Sequence, residues 1–235
     1  MRLHGLEEHV KFVIDMYIIS KELSSVPLKL TVLQKNDIEF DLDPFVFCLH
    51  NMQIKEQNDL VFYNSDCRGD YTTGQRAEFS LAQYSNKGQW YHQTFPMSKD
   101  GAVKIIESYT DEDYEEFISL QLSKLNKETT ELLICVSDYG GQFPIKGVCS
   151  LNISLWRKDY MNEHMRSSYS EWEIASNNDV WKEYNCCLDS YDVNMDNAKA
   201  AILGVIKRDN NQFIFEQYFK PYKDIEELVN DYVEL

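Results

Sequence analysis

The chain has 235 residues, 43% of them hydrophobic, with 39 acidic against 23 basic side chains and a formal charge of -16. That length suits one domain with a real core. The charge excludes direct binding to nucleic acid or to anionic membranes, both of which need clustered Lys and Arg.

Apolar residues at Leu6, Val10, Val13, Tyr17 and Ile18 predict an N-terminal helix over Leu6 to Leu23. Ser24-Ser25-Val26-Pro27 ends it. From Leu28 the pattern changes to period two or to short apolar runs, which predicts strands at Leu28 to Leu33, Phe40 to His50 and Leu60 to Tyr63. Asn64 to Met97 is polar, longer than an ordinary connection, and reads as an inserted hairpin with strands at Ala77 to Leu81 and Gln89 to Thr94. Further strands are expected at Val103 to Ile106, Phe117 to Leu122, Glu131 to Ser137, Val148 to Trp156 and Trp172 to Ile174. Ala200 to Lys207 and Gln212 to Phe219 flank Arg208-Asp209-Asn210-Asn211, a hairpin signature. Lys223 to Leu235 reads as an acidic helix with Ile225, Leu228, Val229 and Tyr232 on one stripe. The sum is an all-β chain, a β-sandwich of two mainly antiparallel sheets with a helix at each end. Its expected divisions are an N-terminal helical extension over 1–25, a sandwich over 26–222 with the insertion at 64–97, and a C-terminal acidic helix over 223–235.

The six cysteines, at 48, 67, 135, 149, 186 and 187, include no Cys-x-x-Cys pair. Cys48, Cys135 and Cys149 lie in apolar runs and read as small core residues. A disulfide between the neighbours Cys186 and Cys187 would be strained. A reducing, cytoplasmic compartment is therefore expected. The apolar stretch Val10 to Ser20 is interrupted by Lys11 and Asp15 and is too short to span a bilayer.

Two acidic clusters carry the chemistry. In Phe40-Asp41-Leu42-Asp43 the carboxylates stand two residues apart, so on a strand Asp41 and Asp43 share a face, as does Glu39. Like charges gathered there call for something positive, and a hard divalent cation such as calcium prefers several carboxylate oxygens. The second cluster, Asp111-Glu112-Asp113-Tyr114-Glu115-Glu116, reads as a loop. It is no EF-hand, because loop position six is Glu116 where glycine is needed and position twelve is Leu122. Asp100-Gly101 is a turn that offers one more ligand, although a plain hairpin turn is its simplest reading. His4, His50, His92 and His164 form no pair with zinc-like spacing. No Gly-x-Ser-x-Gly elbow and no glycine-rich phosphate loop is present. Nothing supports covalent catalysis, so no enzymatic activity is expected.

The ordered set of segments resembles the TerD-like family of tellurium-resistance and stress-response proteins. The resemblance rests on Phe40-Asp41-Leu42-Asp43, Leu60-Val61-Phe62-Tyr63-Asn64 and Ser98-Lys99-Asp100-Gly101-Ala102-Val103. It continues through Asp111 to Glu116, Phe117 to Leu125, Glu131 to Ser137, Phe143 and Gly147 to Leu155 with Asn152, and Ala200 to Phe219. It covers Leu28 to Tyr222. It implies a β-sandwich that holds one or two calcium ions. Asp41 and Asp43 would be ligands from one loop, and Asp111, Asp113, Glu115 and Glu116 from another. It further implies a non-enzymatic scaffold or sensor that works with other proteins of an assembly resisting tellurite, phage or toxic agents. The chain departs from the family in its glycine-free acidic loop, the insertion and the N-terminal segment, which implies a weakened site. A metal-independent interaction module of the same fold is the alternative.

Overall fold

The computed structural model describes residues 2–3, 9–19, 42–71, 73–77, 81–84, 90–92, 94–109, 114–138, 148–158, 185–194, 198–210 and 212–233. Two antiparallel sheets form a sandwich. The larger runs in the order β1 (Arg2–Leu3), β16 (Gln212–Tyr222), β15 (Ala200–Asp209), β12 (Glu131–Asp138), β3 (Leu42–Leu49) and β4 (Leu60–Val61). The smaller runs β10 (Val103–Tyr109), β11 (Tyr114–Gln121), β2 (His9–Ile19), β13 (Val148–Lys158) and β14 (Asn185–Asn194).

Strands β3 and β12 are apolar at nearly every position because both of their faces are covered. Val46, Cys48, Leu132, Ile134 and Val136 meet Val103, Ile105, Ile118 and Leu120 of the smaller sheet. The alternate residues Phe45, Phe47, Leu49, Leu133 and Cys135 form a second cluster on the outer face. Helix α1 (Ile225–Asn230) covers part of that face through Leu228. Asp224 caps the helix by accepting a hydrogen bond from the Glu227 amide at 2.9 Å. The cap, the helix and a backbone bond from Ile54 N–H to the Tyr232 carbonyl at 2.9 Å hold the C-terminal segment down.

Two expectations about helices need correcting. The stretch expected as an N-terminal helix contains β2, which pairs with both β11 and β13 and so lies inside the smaller sheet. Val10, Phe12, Ile14, Met16 and Ile18 alternate at period two while Val10, Val13 and Tyr17 fit a helix, and the β-branched and aromatic content decides for the strand once partners exist. The C-terminal helix is shorter than Lys223 to Leu235, and its expected apolar stripe is incomplete, since Ile225 is 39% exposed.

Within 64–97 lie a small three-stranded sheet and a separate hairpin. The sheet has the order β6 (Arg76–Ala77), β5 (Arg68–Asp70) and β9 (Thr94–Pro96), and the hairpin joins β7 (Leu81–Tyr84) to β8 (Trp90–His92). Gly69 permits the close approach of Phe95, whose Cζ would stand 2.2 Å from any Cβ added there. Phe95, Cys67 and Met97 pack on Ile106, which joins this small sheet to the sandwich. Strands β5 and β14 were not expected from the sequence, and the segments Leu28 to Leu33 and Trp172 to Ile174 lie outside the described residues.

The C-terminal segment predicts a pH dependence. Asp231 Oδ2 accepts hydrogen bonds from Lys220 Nζ at 2.6 Å and from Tyr222 Oη at 2.8 Å. Lys220 first, and then Tyr222, hold the Asp231 carboxyl below its ordinary range. Burial, and then the bond to Asp231, push the Tyr222 phenol up, and burial does the same to Tyr232. A raised phenol contributes stability that is complete below the unfolded tyrosine value of about 10 and is lost as pH climbs through the folded value. The depressed carboxyl contributes above about 4 and loses its contribution as pH falls through its folded value. Melting temperature should therefore be flat between those limits and fall above pH ~10. Tyr222→Phe should cost about 1 kcal/mol at neutral pH and lessen the alkaline decline, as read by thermal melts across pH.

Candidate functional site

The acids singled out by sequence occupy different places in the sandwich. In the regular β3–β12 register Asp43 stands opposite Ser137. Strand alternation puts it on the side of Phe45 and Phe47, the outer face of the larger sheet. Glu115 and Glu116 lie on strand β11 and not in a loop, opposite Ser108 and Glu107. The loop reading is thus corrected for Tyr114 to Glu116 alone, because strand pairing extends back to Tyr114 and its partner Tyr109. Asp41, Asp111 and Asp113 lie outside the described residues.

The register exposes one residue that sequence reasoning missed. Position 107 stands opposite position 116 in the β10–β11 register. Two acids directly opposed on an antiparallel pair repel each other. The signal was present in the sequence only as an isolated Glu107, and it gains meaning once the hairpin register pairs it with Glu116.

Asp100 does a different job. Its Oδ1 accepts from Ser98 Oγ at 2.5 Å and from the Ala102 amide at 2.9 Å, and its Oδ2 accepts from the Asn126 amide at 2.6 Å. Gly101 follows at φ +70°, a left-handed conformation that suits glycine. Asp100 precedes β10, whereas Glu115 and Glu116 pair with the far end of that strand, so most of its length, roughly 20 Å, separates them. Asp100 therefore ties the turn to the segment after β11.

The same turn forms one wall of a cleft of about 620 Å³. Strand β3 ends at this cleft and β10 begins there, so the two strands run in opposite senses. The start of β3 and the β10–β11 turn consequently lie toward the other end of the sandwich. In the cleft wall, His50 Nε2 is 3.1 Å from Asp59 Oδ1, and both side chains are 8% exposed. Asp59 Oδ2 accepts from the backbone amides of Lys55 at 2.9 Å and Glu56 at 3.0 Å, because Gln57–Asp59 is one tight helical turn that the carboxylate caps. Cys48 lies in the same wall with 5% exposure. Burial, and then the charges of Asp100 and Asp59, push its thiol far above the ordinary cysteine range. At the rim Lys99 pairs with Glu56 at 3.2 Å and Lys55 with Glu128 at 3.9 Å. Such exposed pairs contribute little stability. Arg208 fixes the far wall by donating to the carbonyls of Leu125, Asn126 and Thr129 at 3.0–3.1 Å.

Among the described residues, no three His, Cys, Asp or Glu side chains form a group able to hold a metal ion. None of the helices among them is long and apolar enough to cross a membrane.

No family model matches the chain, and no curated protein matches it. Among solved structures it is similar to SAV2460, a protein of unknown function, at 13% identity and a TM-score of 0.42, over 94% of this chain and 92% of that one. It is also similar to SCO6318 of Streptomyces coelicolor A3(2), at 10% identity and a TM-score of 0.43, over 92% of this chain and 91% of that one. SCO6318 is described as a homologue of the telluride resistance protein TerD.

Proposed function

We propose that the protein is a calcium-binding, non-enzymatic scaffold or sensor of a stress-response assembly, working in the cytoplasm with other proteins. The observation that carries the calcium reading is the direct opposition of Glu107 and Glu116 beside the β10–β11 turn. A hard cation would relieve that repulsion. Asp111 and Asp113, in the same hairpin sequence, are the further ligands of this reading, together with Glu115. In this reading the hairpin holds the cation, and Asp43, on a different face, and Asp100, toward the other end, stand outside it. The role in resistance to tellurite, phage or toxic agents rests on the sequence resemblance.

Calcium that binds the folded form alone stabilises it by about 2.7 kcal/mol at a hundred times its dissociation constant. For a chain of this size that is a rise in melting temperature of roughly 5–10 °C. The rise should vanish in Asp113→Asn with Glu116→Gln. No shift at millimolar calcium, or a shift that the double variant keeps, would count against the reading. A metal-independent interaction module is the second reading. The exposure of Met52, Tyr218, Ile225 and Val233, between 39% and 55%, favours it.

A further inference from the structure

We propose that the C-terminal corner, where Met52 and Val233 adjoin the acidic helix α1, docks a basic, amphipathic segment of a partner protein. The proposal deepens the interaction-module reading, on which it rests.

Backbone bonds build the corner. Strand β3 ends in a tight turn that the His50 amide closes by donating to the Gln53 carbonyl at 2.9 Å, and the Asn51 amide donates to Thr130 Oγ1 at 2.9 Å. Ile54 then bridges to Val233 and donates to the Tyr232 carbonyl at 2.9 Å. Met52 thus stands two residues before the partner of Val233. Leu228 and Tyr232, four residues apart, pack on the outer face of the larger sheet. Ile225 and Val229, also four apart, form the neighbouring row, and Val233 follows in the same spacing.

The ends of that row stand in water. Met52 is 55% exposed, Val233 41% and Ile225 39%, while Val229 is half-buried. Met52 also holds φ +69°, a left-handed conformation that a long side chain rarely adopts. Asparagine or glycine would sit there with less strain, so nothing in the turn itself calls for methionine. An unbranched, polarizable thioether on a fixed turn is suited to fill an irregular apolar hollow of another protein. Exposed apolar residues gathered inside a polar border mark such contact surfaces.

Charge selects the occupant. Asp224, Glu226, Glu227 and Asp231 lie on or beside α1, against Lys220 and Lys223. Asp231 is paired with Lys220, and Asp224 caps the helix, which leaves Glu226 and Glu227 exposed beside Ile225. Two copies of the chain, each of charge -16, repel one another, and the same charge turns away nucleic acid and anionic membrane. A segment that carries Lys or Arg beside its apolar residues has the opposite sign, which speeds encounter and fixes register.

The probe is a fluorescein-labelled peptide of leucine and lysine patterned as an amphipathic helix, and its control is a peptide of the same composition in scrambled order. Fluorescence anisotropy with the full chain, in chelator, should give saturable binding of the patterned peptide, roughly tenfold tighter than the scrambled one. Met52→Ser with Val233→Ser should weaken that binding roughly tenfold. Glu226→Gln with Glu227→Gln should weaken it and flatten its dependence on salt. Tyr63→Ser with Asp209→Asn, an exposed apolar residue and an exposed acid elsewhere, should change nothing. All these side chains are exposed, and circular dichroism establishes that each variant is folded. Equal affinity for the scrambled peptide, or binding that both corner variants keep, overturns the proposal and leaves the interaction-module reading standing. Binding that needs calcium and is still weakened by both corner variants supports the corner and removes the metal-independent reading. No binding overturns the proposal, as does dimerisation of the full chain that Met52→Ser with Val233→Ser abolishes.

Discussion

Replacing Arg68 by methionine is expected to destabilise the fold by about 3–5 kcal/mol, although methionine preserves much of the side-chain stem. Arg68 is a charged residue only 2% exposed. Its guanidinium donates from Nε to Thr94 Oγ1 at 2.9 Å, from Nη1 to the Tyr63 carbonyl at 2.8 Å and from Nη2 to the Thr94 carbonyl at 2.9 Å. One side chain thus joins the end of β4's connection to the β5–β9 pair. Methionine would take the Arg68 donors from the buried Thr94 carbonyl and hydroxyl and from the part-buried Tyr63 carbonyl, and each buried group left unsatisfied costs about 1–3 kcal/mol. Lysine should rescue little, because a single ammonium cannot reproduce the planar fork. Arg76, which is exposed, supplies the control, and Arg76→Met should fall within ~0.5 kcal/mol of the parent. Urea unfolding of the three variants decides the matter, and a cost below about 1 kcal/mol for Arg68→Met would contradict the account.

The second large effect concerns the outer face of the larger sheet. Phe47 is fully buried, meets Phe45 edge to face at 5.5 Å and stacks on Tyr232 at 6.0 Å. It therefore joins a central strand to the C-terminal segment. Phe47→Ala should cost about 3–5 kcal/mol, the sum of lost transfer energy and a cavity that the sheet cannot collapse to fill. Tyr232→Ala should cost less, since that ring is only partly buried. Because Cys135 lies under the same face, fully buried, its reactivity toward a thiol reagent should rise in Phe47→Ala before global unfolding. Equal costs for the two variants, with Cys135 still protected, would contradict this picture.

Strands with strong local patterns were legible in the sequence. The β15–β16 hairpin follows from two apolar runs around Asn210, which adopts φ 56° in the turn as an asparagine readily does. Strands β3 and β12 follow from apolar runs that only double-sided burial explains. Strand β2 was misread because its residues satisfy two periods at once, and only pairing with β11 and β13 selects one. Strand β14, Asn185 to Asn194, carries too many polar residues to stand out and is specified by its register with β13. The acidic sites were half legible. Sequence flagged Glu115 and Glu116, but the opposing Glu107 needed a register, and the backbone donors that hold Asp100 are visible only in the fold. The cleft was not legible at all. Its wall combines residues near 48–50, 55–59, 98–100 and 126–129, which are brought together by strand ends and no local motif.

The central claim is that the β10–β11 hairpin holds calcium, and isothermal calorimetry tests it most directly. Titration of the full chain with calcium should give saturable binding of at least one ion per chain. Asp113→Asn with Glu116→Gln should abolish that binding, while His50→Gln, at the opposite end, should leave it intact. No saturable heat at millimolar calcium, or binding that the hairpin double variant retains, would contradict the claim.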